Sequence, residues 1–281
     1  MPISFGVPQG SMLGPLLFII YINDLPLAVQ GCCVELYADD TLIYFARKSV
    51  SGIPAQLTGT LQRITEADDL VIEISNTRLE RVNKVKYLGV LPDNTLSWKD
   101  HIEYIGNKIL SRLRVLRRAR KVLPKPTCQM LNNTLVLPLF DYCSPVWDSC
   151  GAGSKAYLDK LNRRAASIIE GRSIGAEELK SILGWPSLQA RRNYLKCVLV
   201  HKCLHDIAPS YLLSEFRCAH FFHGYNTRSR DLLRPPFAKT TKYQGSFRIN
   251  GALTYNTLPR IIRQVETLSE FKMKLKRHFK Q

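Results

Sequence analysis

Two adjacent carboxylates, Asp39 and Asp40, are the residues best placed by type and spacing to do chemistry. They follow Tyr37 and Ala38 and stand between two runs of strand formers, Val34 to Tyr37 and Thr41 to Phe45. Val34, Leu36 and Ala38 alternate with Glu35 and Tyr37, which is the period of a strand. The segment predicts two short strands joined by a tight Asp-Asp turn, with both carboxylates at the tip. Two readings stay open at this point. Aspartate is common in turns because its carboxylate bonds nearby backbone N–H groups, which makes the pair a solvated turn. Hard carboxylate oxygens on a rigid hairpin also suit Mg²⁺, and two such ions about 4 Å apart clamp the attacking and leaving oxygens of phosphoryl transfer. Such a centre draws carboxylates from more than one strand, so this pair supplies part of one at most.

The other metal-type residues carry a weaker signal. His201 and His205 lie one helical turn apart, and Cys218, His220 and His223 cluster, but their spacings match no standard zinc pattern. Eight cysteines in a chain of 281 residues do not describe a disulfide scaffold, and free thiols are expected.

Charge narrows the class of partner. Forty Lys and Arg against twenty-three Asp and Glu give a formal charge of +17. An excess of that size points to a polyanion, with nucleic acid ahead of an anionic membrane surface and a merely solvated basic surface as the plain alternative. No basic-then-apolar leader opens the sequence, and the apolar run from Met12 to Ile22 is too short to span a bilayer. An intracellular protein, nuclear or cytoplasmic and neither secreted nor membrane-spanning, is expected.

The elements that must position these groups follow from pattern. Gly6, Pro8 and Gly10 form a tight loop, Ser11 is a helix N-cap, and Pro15 is tolerable only near a helix start, so a buried helix is predicted from about residue 12 to 23. A glycine-rich loop opening a helix lets a phosphate or sugar approach the backbone, although many such loops are simply turns. Ile53, Leu57, Leu61 and Ile64 give a helix between Ile53 and Asp69. Leu70 to Ile74 and Val82 to Leu91 read as strands, with Asn76-Thr77 as a turn between them.

From Trp98 a long helix is predicted to about Val122, with Ile102, Ile105, Ile109, Leu113 and Leu116 as its buried stripe. Lys108, Arg112, Arg114, Arg117, Arg118, Arg120 and Lys121 crowd its second half, as a solvated basic face or as a track for a phosphate backbone. Pro124 and Pro126 end it. Further helices are predicted at Cys128–Tyr142, Lys155–Glu170 and Leu188–His205, the second with Leu158, Leu161, Ala165, Ile168 and Ile169 inward. Arg228 to Arg234 and Lys239 to Lys242, with Phe237 and Tyr243 interleaved, suit nucleic acid by charge and stacking or form a solvated extended segment. The class is α+β.

Three phrases together carry a resemblance: Gly6-Val7-Pro8-Gln9-Gly10-Ser11 with Leu13-Gly14-Pro15-Leu16-Leu17-Phe18, then Tyr21-Ile22-Asn23-Asp24-Leu25-Pro26, then Tyr37-Ala38-Asp39-Asp40. The set resembles the second half of the palm in the reverse transcriptase of a non-LTR (LINE-type, jockey-like) retrotransposon. Downstream phrases such as Tyr142-Cys143-Ser144-Pro145-Val146-Trp147 and Leu183-Gly184-Trp185-Pro186-Ser187-Leu188 extend the likeness over nearly the whole chain. The resemblance implies an RNA-directed DNA polymerase, a nucleotidyltransferase that uses Mg²⁺, an RNA template, a DNA primer and dNTPs. It makes Asp39 and Asp40 catalytic metal ligands, sets Gln9, Gly10, Ser11 and Tyr37 against nucleotide or template, and makes Tyr87, Leu88 and Gly89 a primer-grip-like segment. Lys108, Arg112, Arg117, Arg118, Arg120 and Lys121 would contact the nucleic-acid backbone. The implied division is a palm half over 1–97, a thumb-like basic helix over 98–123 and a helical tail over 124–281.

Departures from the pattern set a second expectation. Five residues precede Gly6, so the fingers and the strand bearing the other metal-binding aspartate have no counterpart in the sequence, which reads as N-terminally truncated. Between Asp69 and Leu70 the family carries a stretch ending in Lys-Thr, whose lysine is held to protonate the departing pyrophosphate; this chain passes straight from helix to strand. Losing one component of such a centre costs about a thousandfold in rate or more. The chain alone is therefore expected to be inactive, and no separate chain supplying the missing half is expected. A non-catalytic, basic nucleic-acid-binding protein derived from the element is the alternative.

Overall fold

Pro15 falls in the first turn of helix α1, Leu13–Ile22, where its missing N–H leaves no intrahelical bond unmade. The structure is a computed structural model that describes residues 13–22, 33–38, 40–44, 73–74, 77–78, 82–218 and 231–280. The expected helix is present, but its expected burial is not: Leu17, Ile19 and Ile20 are exposed. The physical reason is its composition. Leu13 to Ile22 are apolar on every face, so packing one side against a neighbour still leaves apolar side chains in water.

Strands β1, Cys33–Tyr37, and β2, Asp40–Tyr44, form an antiparallel pair. A second small pair joins β3, Glu73–Ile74, to β4, Thr77–Arg78, with Ile74 opposite Thr77. Thr77 thus opens a strand instead of completing a turn. The segment expected as a single strand to Leu91 folds back on itself. Lys84 bridges Asp93 in antiparallel sense, and the Val85 N–H donates to the Pro92 carbonyl at 3.3 Å. Leu88 and Gly89 take consecutive positive φ values of 46° and 79°, the conformation of a two-residue primed hairpin turn. The helix expected over Ile53–Asp69 lies outside the described residues.

The described residues divide into two compact units, one from 1–83 with 87–89, the other from 84–86 with 90–281. The second is helical. Its entry is set by Asp93, whose carboxylate accepts hydrogen bonds from the N–H groups of Thr95, Ser97 and Trp98 at 2.9, 3.1 and 2.9 Å. Burial alone would raise this carboxyl's pKa; the hydrogen bonds outweigh it and hold the group well below the usual carboxylate range. Trp98 adopts a left-handed φ of 63°, uncommon for a bulky residue, and its indole N–H donates to Ser149 Oγ at 2.9 Å.

Helix α2, Lys99–Ala119, follows. Its whole expected stripe, Ile102, Ile105, Ile109, Leu113 and Leu116, is buried. After Pro124 the chain runs through α3, Lys125–Leu131, a π-helical turn at Asn132–Val136, α4, Leu137–Asp141, and α5, Ser144–Trp147. The wide turn comes just before Pro138, where a tight α-turn would press the proline ring on the preceding carbonyl. Helix α6, Ala152–Glu170, packs along α2. Gly106 makes that approach feasible, because a Cβ there would fall 2.6 Å from the Tyr157 ring. The short α7, Glu178–Leu183, and the long α8, Leu188–Leu204, follow. Then come α9, Ser210–Leu213, α10, Thr241–Gln244, α11, Phe247–Asn256, α12, Arg260–Arg263, and α13, Leu268–Lys280.

Two apolar clusters form the interior of this unit. One centres on Ile109, Leu158, Ile169 and Trp147, the other on Cys197, Val200, Phe271 and Leu275. A buried ionic group lies at Asp148 on the way between them. Its carboxylate faces Lys196 Nζ at 2.6 Å, Arg192 Nε at 2.7 Å and Lys155 Nζ at 3.4 Å, and Lys196 also donates to Asn250 Oδ1 at 2.6 Å. Desolvation raises the Asp148 pKa, but the Lys196 hydrogen bond and the surrounding cations win and hold it low. The described cysteines are free, as expected.

Candidate nucleic-acid interface

The register of the first hairpin fixes its chemistry. Tyr37 pairs with Asp40, Leu36 with Thr41 and Glu35 with Leu42. Asp40 therefore opens the second strand instead of sitting in the turn, as the expected Asp-Asp tip had it. Ala38 has a φ of 51°, as such turns require, and alanine takes it with less strain than a branched residue would. Because side chains alternate, Asp40 shares a face with Tyr37, Glu35, Leu42 and Tyr44, while Val34, Leu36, Thr41 and Ile43 share the other. Tyr44 leans its hydroxyl toward Glu35 Oε1 at 3.5 Å. Asp40 and Tyr37 are exposed.

Tyr37 and Asp40 are thus brought side by side, with Glu35 as a second carboxylate on their face that the sequence pattern had not singled out. Period-2 counting from Asp40 across the turn would have found it. Asp39, Gln9, Gly10 and Ser11 lie outside the described residues. Among the described residues no three His, Cys, Asp or Glu side chains come together as metal ligands. The described part of the hairpin offers Mg²⁺ two carboxylates on one face, Asp40 and Glu35, and does not by itself fit a complete site. The pairing at His201 is of another kind. Its ring stacks on Phe271 at 4.0 Å, and burial, with His205 4.1 Å away, drives its pKa down to about 4, so it is a neutral core residue.

The basic residues of α2 are not gathered on one face. At about 100° per residue, Lys108 and Arg112 fall on one flank of the buried stripe and Arg114, Arg117 and Lys121 on the opposite flank. Lys108 sits 4.3 Å from the centroid of the Tyr104 ring, with Lys86 5.7 Å from the same ring. Arg118 points between the two flanks, away from the core. Arg120 turns inward, its Nε donating to the Ile169 carbonyl of α6 at 2.7 Å. A helical projection of the sequence contains this division already.

A family model described as reverse transcriptase (RNA-dependent DNA polymerase) matches residues 1–91, the segment that contains the Tyr37–Asp40 hairpin. The RNA-directed DNA polymerase from mobile element jockey of Drosophila melanogaster is 25% identical over 249 residues, covering 75% of this chain and 26% of the relative. The chain is thus similar to the reverse transcriptases of non-LTR retrotransposons. A polyprotein from type-1 retrotransposable element R1 of Bradysia coprophila is 25% identical over 231 residues, 69% of this chain and 23% of its own length. The probable RNA-directed DNA polymerase from transposon X-element of Drosophila melanogaster is 24% identical over 203 residues, covering 60% and 22%. No solved structure matches the chain.

The chain spans about a quarter of the length of the curated relatives it matches. The similarity of 249 residues is far longer than the 91-residue family match, so the likeness to retrotransposon polymerases continues into the helical unit. The mixed α+β class expected for a partial polymerase fold is what the described elements show. Among the described residues no helix is long and apolar enough to cross a membrane.

Proposed function

We propose that this chain contributes the second half of the palm, over 1–97, a thumb-like basic helix, over 98–123, and a helical tail, over 124–281, to an RNA-directed DNA polymerase. The observation that carries the reading is the hairpin in which Asp40 opens β2 opposite Tyr37, inside the segment that matches reverse transcriptases. Asp39 and Asp40 would hold Mg²⁺ together with a carboxylate from elsewhere; bound there, the metal supplies charge stabilisation for nucleotidyl transfer from a dNTP. Tyr37 beside them would meet the incoming nucleotide or template, as would Gln9, Gly10 and Ser11, while Tyr87, Leu88 and Gly89 would lie against the primer. Lys108, Arg112, Arg117, Arg118, Arg120 and Lys121 supply positive charge for the backbone of an RNA–DNA duplex without reading its sequence.

These 281 residues by themselves hold the duplex without extending it. Supporting this are the two aspartates as the sole matched metal ligands and the direct passage from Asp69 to Leu70 where the family carries its Lys-Thr stretch. The same gap favours the second reading, a non-catalytic binding protein derived from the element. Primer extension on the purified chain with an RNA template, DNA primer, dNTPs and Mg²⁺ should give no product while a filter assay detects salt-sensitive binding of the hybrid. Template-dependent product that is lost in Asp39→Ala and Asp40→Ala would show a complete catalytic centre and remove both the inactivity and the second reading.

A further inference from the structure

Where α2 and α6 end side by side, a shallow cavity of about 390 Å³ is lined by four arginines, Arg117 and Arg120 from α2 and Arg164 and Arg172 from α6 and its exit, with Gly171 and Ser173 at its edge. We propose that this cavity is a phosphate site for the nucleic-acid backbone, with α6 as a second basic element beside α2. The inference rests on the reading of the chain as a nucleic-acid-binding one and adds residues that no sequence motif marks.

Charge decides the sign of the ligand. Two helix C-termini meet here, and each carries roughly half a negative charge, which alone would repel an anion. Arg120 spends its Nε on one of those free carbonyls, that of Ile169, at 2.7 Å. Arg172 Nη1 donates to Glu178 Oε1 at 3.0 Å, so one carboxylate also stands near. Four guanidiniums against one carboxylate and two helix ends leave an excess of roughly two positive charges. Arg117 and Arg164 are both exposed and enter no ion pair among the described residues. Like charges gathered at one place without a counter-charge raise the energy of the free protein, and a bound anion relieves that.

The chemistry of the donors decides which anion. The guanidinium fork matches the oxygen spacing of a phosphate and binds it with two parallel hydrogen bonds. A site open on one side and shared by two helix ends admits a phosphodiester in the middle of a strand, since no wall closes over it. The cavity contains no aromatic ring for a base to stack on, which makes backbone contact its mode. On the far flank of α2, Lys108 and Arg112 are separated from this cavity by the helix itself, so a duplex gripped at both places would wrap α2.

The test uses the full chain and a fluorescein-labelled 20-base-pair RNA–DNA hybrid, with anisotropy followed from 50 to 300 mM KCl. Each phosphate contact contributes a slope of about 0.9 in log K against log salt. Arg117→Glu/Arg164→Glu should therefore weaken binding about 10- to 100-fold near 100 mM salt and flatten the slope by about two. Arg164→Lys, which keeps the charge and loses the fork, should keep the slope with a smaller loss of affinity than the double variant, and an equal charge change on α13, Lys272→Glu/Arg277→Glu, should leave the slope in place. Thermal melting that matches the parent confirms that the variants fold, as expected for exposed side chains without partners. If the parent binds and the double variant keeps its slope, this site is refuted while the wider reading stands. If the parent binds no hybrid, the wider reading itself falls. Preference for phosphatidylserine vesicles over the hybrid, lost in the double variant, would also overturn the assignment by giving the cavity a membrane ligand.

Discussion

The hairpin region and the helical unit divide chemistry and stability between them in opposite ways. In the hairpin, every residue of β2 is exposed, as is Tyr37, and the two strands pair with each other among the described residues. In the helical unit, Ile109, Leu158, Ile169 and Trp147 are fully buried, and even the charges of Asp148 and Lys196 are interior. The carboxylate motif thus sits on strands with little packing of their own, and the well-packed part buries residues of the downstream phrases, Trp147 and Leu188, together with its charges. A two-stranded ribbon is marginal in water without a hydrophobic face to cover. The difference teaches that the candidate metal-binding residues of this chain and those that stabilise it are separate sets.

The largest test of that division is Asp148→Ala. Removing one partner of a buried ion pair leaves Arg192 and Lys196 uncompensated, which costs about 3–5 kcal/mol, or roughly 10 °C in Tm for a unit of this size. Calorimetry checks it, and a shift below about 1 °C would mean that water reaches the group. Next in size is Gly106→Val. The new side chain would collide with Tyr157, and overpacking costs about 1–3 kcal/mol; a neutral result in urea unfolding would show α2 and α6 free to part. Asp93→Ala, which removes the acceptor for three N–H groups ahead of α2, should cost about 1–2 kcal/mol.

Acid should act on the same two aspartates. Both have folded pKa values below their unfolded ones, so their stabilisation is present above the unfolded carboxylate value of about 3.9 and is lost as pH falls from there toward the folded values. Unfolding free energy of the parent should decline below about pH 4, and the decline should be shallower in Asp148→Ala. An identical acid profile in the two proteins would place the loss elsewhere. The smallest effect is expected at the motif: Asp40→Ala should change stability by less than about 0.5 kcal/mol, since the carboxylate is exposed. A larger loss would mean that the hairpin is built into the interior after all.

Much of the helical unit could be read from spacing. The stripe Ile102, Ile105, Ile109, Leu113 and Leu116 is buried throughout, and the helix expected over Leu188–His205 runs over Leu188–Leu204. The errors came where one residue of register matters. Asp-Asp looked like the turn because both residues suit one, but pairing of Tyr37 with Asp40 puts Asp40 in the second strand. Val82 to Leu91 looked like one strand because valine and leucine favour extended backbone, and Leu88-Gly89 reverses it. The basic residues of α2 were grouped by their nearness in sequence, although a helix sends neighbours in different directions.

By itself, the sequence determined the likeness to reverse transcriptases, the apolar stripes and the excess of positive charge, because motif, period and composition are local properties of the chain. Tertiary structure decided which charges meet. Asp148 with Arg192 and Lys196, and Arg117 with Arg164 and Arg172, come together across long stretches of chain. No local pattern encodes those meetings; they follow from the packing of α6 and α8 around the core, and with them the counter-charges and the ligands that the side chains can take.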